Sequence, residues 1–231
     1  SSSSRGLGDV YKRQLLDIPN LLDDSVPIGE DETSNQIIEE IGNIPEFSFE
    51  PKSHSDFIEK TDQGRGVKIA KSRFTVLSGE LAKLHRVIGQ FMIDTHANIH
   101  GYEELYVPYI VNKSSLIGTG QLPKFEEDLF KLTETPDLYL APTAEVPVTN
   151  LHRDEKLKLE QLPLKYVCHS PCFRSEAGSY GKDTKGLIRQ HQFDKVELVK
   201  ICHPDKSDDE HKKLIEDASK ILELLELPYR K

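Results

Sequence analysis

Three observations predict an α+β fold, a mainly antiparallel β-sheet flanked by helices. The patterns run in the order helix, several strands joined by loops and hairpins, helix, which suits an antiparallel sheet with helices packed on it. Two runs that alternate like strands flank the stretch "CFRSEAGSYGKDTKGLIRQHQFDKVEL" (172–198), as in a long hairpin. No Gly-rich strand-to-helix turn of the dinucleotide or phosphate-loop kind occurs, which argues against a doubly wound parallel sheet.

Taken in order, the opening "SSSSRGLGDVYKRQ" (1–14) has neither an apolar core nor a small-residue cleavage site, so it reads as a non-native leader and not as a secretory signal. Residues 15–45 mix Pro, Gly, Asp and Asn with no sustained apolar period and read as a linker, leaving 46–231 as the folded body. From Ser78, the residues Leu81, Leu84, Ile88, Phe91, Met92 and Thr95 keep a three-and-four rhythm that stops before Gly101, a long amphipathic helix over 78–100. "YEELYVPYIV" (102–111) alternates and is rich in aromatic and branched residues, so it reads as one strand, with Pro108 pushing it to an edge or interface. The loop "NKSSLIGTGQLPKF" (112–125) leads to a short strand "LYLAP" (138–142), after which Pro142 and Pro147 hold "TAE" (143–145) in a stiff frame. The hairpin strands are 164–174 and 193–201, and "SDDE" at Ser207 fits a capping box opening a last helix faced by Leu214, Ala218, Ile221, Leu222 and Leu225.

With 231 residues and 36% hydrophobic content, the chain is long enough to bury a core. No apolar run approaches the roughly 20 residues a spanning helix needs, so no membrane span is expected. The absence of a signal and only three cysteines, Cys168, Cys172 and Cys202, point to a reducing cytoplasm without a disulfide framework. Those cysteines with His169 and His203 lack a paired C-x-x-C pattern and read as small buried hydrophobes, so no metal site is expected. The net charge of −9 argues against a general nucleic-acid coat, but it is localised: residues 15–60 hold 12 acidic and 2 basic side chains, whereas 61–231 hold 26 and 25. The body is therefore free to take an anionic ligand in a local pocket.

The hairpin places Arg174, Glu176, Arg189 and Glu197 where strand residues ordinarily face a core. Any one of them suits a wet sheet face. Together they are harder to explain: Arg174 and Glu176 are two apart on one strand, Phe193, Lys195 and Glu197 share a face of the other, and a loop with Lys182 and Lys185 hangs over both. A guanidinium forks onto phosphate oxygens, an aromatic face stacks a base, and a carboxylate takes an amine. The residues alone suit a nucleotide beside a small cationic molecule. His191, between Arg189 and Phe193, reads as a structural hydrogen-bonding group.

These residues resemble the class II aminoacyl-tRNA synthetases, and among them the bacterial type of seryl-tRNA synthetase. "FRSE" with its loop and "RQHQFDKVEL" resembles the class's second motif, and the long helix with "HGYEELYVPYIV" its first; "GTGQLPKF", "PTAEVPVTN" and "DSVPIGEDETSN" are similar to segments of the seryl family. The resemblance implies activation of L-serine by ATP with Mg2+ and transfer to tRNA(Ser), with tRNA(Sec) as a further candidate acceptor. It assigns ATP contacts to Arg174, Ser175, Glu176, Arg189 and Phe193, and serine contacts to Thr143, Ala144, Glu145, Arg174 and Glu197, with Arg174 and Glu176 as catalytic residues. It implies a homodimer through the helix at 78–100 and the strand at 102–111. The family's third motif would follow "LPYRK" and its tRNA-gripping helical arm would precede the linker, so 46–231 is expected to be the N-terminal part of a catalytic domain, with motifs 1 and 2, no metal ligand of its own and no competence alone. The rivals are a synthetase-like enzyme for another small amino acid or a carrier protein, and a non-catalytic dimerisation module that retains an ATP site.

Overall fold

Leu164–Phe173 and Gln192–Ile201 pair antiparallel along their whole length, from Leu164 opposite Ile201 to Phe173 opposite Gln192. The computed structural model describes residues 10–12, 14–58, 63–177 and 186–231, so Lys182 and Lys185 lie outside the described residues. In chain order the elements are β1 (Glu40–Ile41), α1 (His54–Ile58), α2 (Gln63–Ala70), α3 (Gly79–Asn98), β2 (Glu103–Glu104), β3 (Ile110–Asn112), α4 (Lys113–Gly118), β4 (Leu138–Leu140), α5 (Glu145–Thr149), β5 (Leu164–Phe173), β6 (Gln192–Ile201), α6 (Ser207–Leu224) and β7 (Tyr229–Arg230), joined by loops and short 3-10 turns. No helix among the described residues is long and apolar enough to cross a membrane.

The chain divides into two compact units, Ser1–Ser48 with Ala218–Lys231, and Phe49–Asp217. In the first, part of the stretch read as a linker forms β1, which pairs antiparallel with β7, and Arg230 meets Glu40 at 3.1 Å. In the second, β5 lies between β6 and β2, and β2 runs parallel to β5, the one parallel pair among the described residues of an otherwise antiparallel, helix-flanked α+β arrangement.

The period-two alternation of the hairpin decides what lies on each side of it. On one face Val167, Val196 and Leu198 pack with Ile93 and Ala97 of α3 and with Tyr102. On the other, Tyr166, Cys168, Val199 and Ile201 pack with Val107, Ala144 and Val148. Gly89 lets α3 come this close: a Cβ there would lie 2.9 Å from the His169 ring. The helix ends at Asn98, two residues from the predicted limit, and Gly101 turns the chain away at φ +69°.

Two sequence expectations are corrected. The single strand over 102–111 is two, β2 and β3; the chain between them carries Pro108, which has no amide hydrogen to donate to a ladder, and β3 leaves to pair with β4. The capping box at Ser207 does not form, because Ser207 already has helical angles (φ −58°, ψ −45°) and a 3-10 turn, Pro204–Lys206, precedes it; His203 caps that turn by accepting from the Asp205 amide at 3.3 Å.

Candidate active site

Odd-numbered residues of β6 place Phe193, Lys195 and Glu197 on the face away from α3. Their cross-strand partners are small: Cys172, Ser170 and Cys168 respectively, all buried. Burial pushes both thiols up, Cys168 to about 11, which keeps them protonated and inert. Small residues opposite long ones leave room for the long side chains to reach across the sheet.

The sequence predicts that Arg174 and Glu176 share a strand face, yet β5 ends at Phe173 and Glu176 sits at φ +52°. The cause is competition from a neighbouring turn. The Ser175 amide donates to the Asp128 carbonyl and the Ala177 amide to Asp128 Oδ1, each at 2.9 Å, while the Ser175 hydroxyl donates to the Glu127 carbonyl. Pulled off the ladder, Arg174 still closes the hairpin, exchanging bonds with His191: its amide donates to the His191 carbonyl at 3.0 Å and its carbonyl accepts from His191 Nδ1 at 3.0 Å. Phe74 and Phe130 flank the His191 ring, with centroids 5.3 and 5.9 Å away.

Arg174 Nε donates to the Pro142 carbonyl at 3.3 Å, and the guanidinium lies over the Phe193 ring, 5.2 Å from its centroid. Across the cleft, Ala144 caps α5 and is buried together with Thr143. The Thr143 hydroxyl donates to Glu197 Oε2 at 2.8 Å and accepts from Lys195 Nζ at 2.7 Å and from the Glu145 amide at 3.2 Å. Lys195 also pairs with Glu197 Oε2. Burial, and after it the charge of Glu197, hold the Glu145 carboxyl above the usual carboxylate range, against the opposing pull of Lys195 and Arg174. No hydrogen bond or ion pair to the Glu145 carboxylate is found among the described residues.

Thr143, Glu145, Arg174, Glu176, Arg189 and Lys195 thus line one cleft of about 380 Å³. Arg189 and Glu176 form an ion pair at 3.0 Å on its wall. A neighbouring cleft of about 430 Å³ shares Arg174, Glu176 and Arg189 and adds Phe193. Glu197, partly exposed beside the first cleft, is tied to Thr143 and Lys195 through Oε2. Ser175 and Ala144 line neither cleft. The sequence places Lys195 on the right strand face but gives it no role, and it assigns none to Gln121, Phe125 and Asp128, which also line the first cleft. "GTGQLPKF" points to the first two of these, whereas nothing local marks Asp128, whose part comes from a contact 49 residues along the chain.

Around the hairpin, Arg174 and Glu176 thus border two adjoining clefts, one with Glu145 and the other with Phe193, and residues 129–231 match the family described as tRNA synthetase class II core domain (G, H, P, S and T). The serine--tRNA ligase of Dechloromonas aromatica (strain RCB) is 59% identical over 222 residues, which cover 94% of this chain and 52% of that protein. The crystal structure of seryl-tRNA synthetase from Pyrococcus horikoshii complexed with ATP is similar with a TM-score of 0.90 and 35% identity, over 99% of this chain and 56% of that one. Cytoplasmic serine-tRNA ligase from Naegleria fowleri in complex with AMP gives 0.87 and 30%, over 99% and 56%. Over nearly its whole length the chain is therefore similar to seryl-tRNA synthetases. It spans about half the length of the curated relatives it matches.

Proposed function

We propose that this chain carries the nucleotide-binding and amino-acid-binding walls of a site that activates L-serine with ATP, in the cytoplasm, and passes it to tRNA(Ser), with tRNA(Sec) as a further acceptor. The observation that carries the reading is the pairing within one cleft of Arg174 with a half-buried carboxylate, Glu145, that has no protein partner among the described residues. Such a carboxylate is built to receive an ammonium group, and such a guanidinium an anionic oxygen.

In this reading a serine carboxylate oxygen attacks the α-phosphorus of ATP in line, the bond to the bridging oxygen breaks, and pyrophosphate leaves with that electron pair. Arg174 meets the charge on the α-phosphate and the incoming carboxylate. Phe193 supplies the stacking surface for adenine, Glu176 accepts from its amine, and Arg189 binds a further phosphate oxygen. Glu145 holds the serine ammonium and Glu197 takes part in recognising the side chain. A terminal hydroxyl of tRNA then displaces AMP from the seryl carbonyl. Positioning and charge neutralisation suffice for such steps, in keeping with the engagement of His191 as a structural bridge. Mg2+ enters the proposal only as the ion that would accompany the phosphates of bound ATP, and no step is drawn through it. A two-fold contact through α3 and the segment after it is part of the proposal, supported by Leu84, Val87, Tyr106 and Ile110, all exposed in the single chain.

The test is ATP–pyrophosphate exchange by the full-length gene product, with serine, threonine and proline compared. Serine alone is expected to drive exchange, and Arg174→Ala to slow it about 10²–10³-fold. Preference for another amino acid, or exchange indifferent to loss of Arg174, overturns the reading.

A further inference from the structure

The Thr143 hydroxyl has one proton to donate and two lone pairs to accept with. All three are engaged inside the protein, on Glu197 Oε2, Lys195 Nζ and the Glu145 amide. While that network stands, Thr143 has nothing left for a ligand, despite the direct serine contact that the family resemblance implies for it. Both protein donors to Glu197 converge on the same oxygen, Oε2. Oε1 of Glu197 and the carboxylate of Glu145 are the acceptors left without a hydrogen bond among the described residues.

The charges add a second constraint. After burial, the charge of Glu197 opposes ionisation of Glu145, and Lys195 and Arg174 work against that opposition. With Arg174 committed to the nucleotide side, two carboxylates and one ammonium leave a single net negative charge, which matches one ammonium on the ligand. Without Lys195 the two acids would face each other with no lysine between them.

We propose that Lys195 is the positioning residue that sets amino-acid specificity: it pins Glu197 by one oxygen, through its own ammonium and through Thr143, so that the other oxygen is reserved for a side-chain hydroxyl. The proposal rests on the serine reading above and deepens it. Serine satisfies both open acceptors, its ammonium on Glu145 and its hydroxyl on Glu197. Alanine has no hydroxyl and leaves the Glu197 oxygen unpaired in a partly desolvated site, which is the kind of loss that gives strong discrimination. The cross-strand neighbour of Lys195, buried Ser170, is small enough to let the lysine stem lie over the sheet and reach Thr143. A longer residue at position 170 would contest that space.

The experiment compares wild type, Lys195→Met and Lys195→Arg in the full-length gene product, measuring pyrophosphate exchange with serine and alanine and the KM values for serine and ATP separately. Lys195→Met is expected to raise the serine KM about tenfold to a hundredfold and to narrow the serine-to-alanine ratio by a similar factor, with the ATP KM moved less than about threefold. Lys195→Arg, which keeps a cation able to bond both Glu197 and Thr143, is expected to recover most of the serine KM. A purely structural role would raise both KM values together and leave the serine-to-alanine ratio untouched, and that result overturns the proposal. An active wild type with an unchanged serine KM in Lys195→Met overturns it as well, leaving the serine reading in place. A wild type that ignores serine overturns both.

Discussion

One hairpin carries two charged clusters on opposite faces, and they differ in one respect. On the α3 side, Lys200 pairs with Glu210 at 3.2 Å and Asp217 at 3.4 Å, Tyr102 donates to Asp217 at 2.6 Å, Lys213 takes the other oxygen of Glu210 at 2.7 Å, and His96 meets His100 at 3.0 Å. Every charged group there has a partner in the protein. On the cleft side, Arg174, Lys195 and Glu197 are each tied, but the Glu145 carboxylate and one oxygen of Glu197 have no hydrogen bond or ion pair among the described residues. A closed network stabilises a fold; an open one, kept open against the cost of desolvation, exists for a ligand. The two clusters share strands and charge types, so composition does not separate them, and satisfaction does.

Lys200→Met gives the largest expected effect. The Lys200 side chain is 5% exposed, and its removal takes the shared cation from two partly buried carboxylates and leaves Glu210 only Lys213 and Asp217 only Tyr102 and His100. Breaking a buried pair from one side costs about 3–5 kcal/mol when the other charge is left alone, and the remaining partners bring the expected loss to about 2 kcal/mol. Chemical denaturation of the full-length gene product is expected to read a loss of that order, while the serine and ATP KM values, set on the opposite face, stay within about twofold. A large rise in either KM with stability unchanged would erase the distinction between the clusters.

The closed cluster also has a pH limit. Burial, and next the neighbouring His100, depress His96 from 6.5 to about 4 despite the attraction of Asp217. Its folded pKa lies below its unfolded one, so the unfolded chain takes the proton first. The stabilisation is complete above pH 6.5 and is lost as pH falls toward 4. About 2 kcal/mol should have gone by about pH 5. His96→Asn removes the titrating group, and the slope of stability against pH in this window should flatten; an unaltered slope would assign the acid sensitivity to other groups.

Much of this arrangement is legible in the amino-acid sequence. The alternation of 193–201 separates cleft residues from α3-facing ones because side-chain direction in a strand follows parity alone, and the apolar rhythm of 81–95 marks α3 to within two residues of its end. Arg174 and Glu197 stand out as charges where a strand pattern has no need of them, and Pro142 and Pro147 mark the frame that holds Glu145. What stays hidden depends on long-range contacts. Glu176 leaves its strand because Asp128 competes for the backbone, and neither residue's neighbours announce that. The strand over 102–111 divides because β4 takes its second half. Lys195 carries no role in the sequence pattern, since a lysine on a strand looks like any solvated lysine until its ammonium is found on Thr143 and Glu197.

Glu145→Gln probes the open cluster with the smallest expected cost in stability. Burial and Glu197 both work against its charge, so the folded state carries that carboxylate at a penalty, and a neutral amide of the same shape relieves it. Stability should hold or rise by a few tenths of a kcal/mol, whereas the serine KM should rise about tenfold or more because the ammonium loses its counter-charge. The same logic fixes a pH sign. Because the folded pKa of Glu145 is raised, acidification through it protonates the carboxyl with no loss of folded stability, yet serine binding weakens, and the limb should begin above the ordinary carboxylate range. In Glu145→Gln that acid limb of the serine KM should vanish. A fall in stability like that of Lys200→Met, with the serine KM unmoved, would mean that Glu145 belongs with the closed cluster and that the cleft owes its open acceptor to something other than an amino acid's ammonium group.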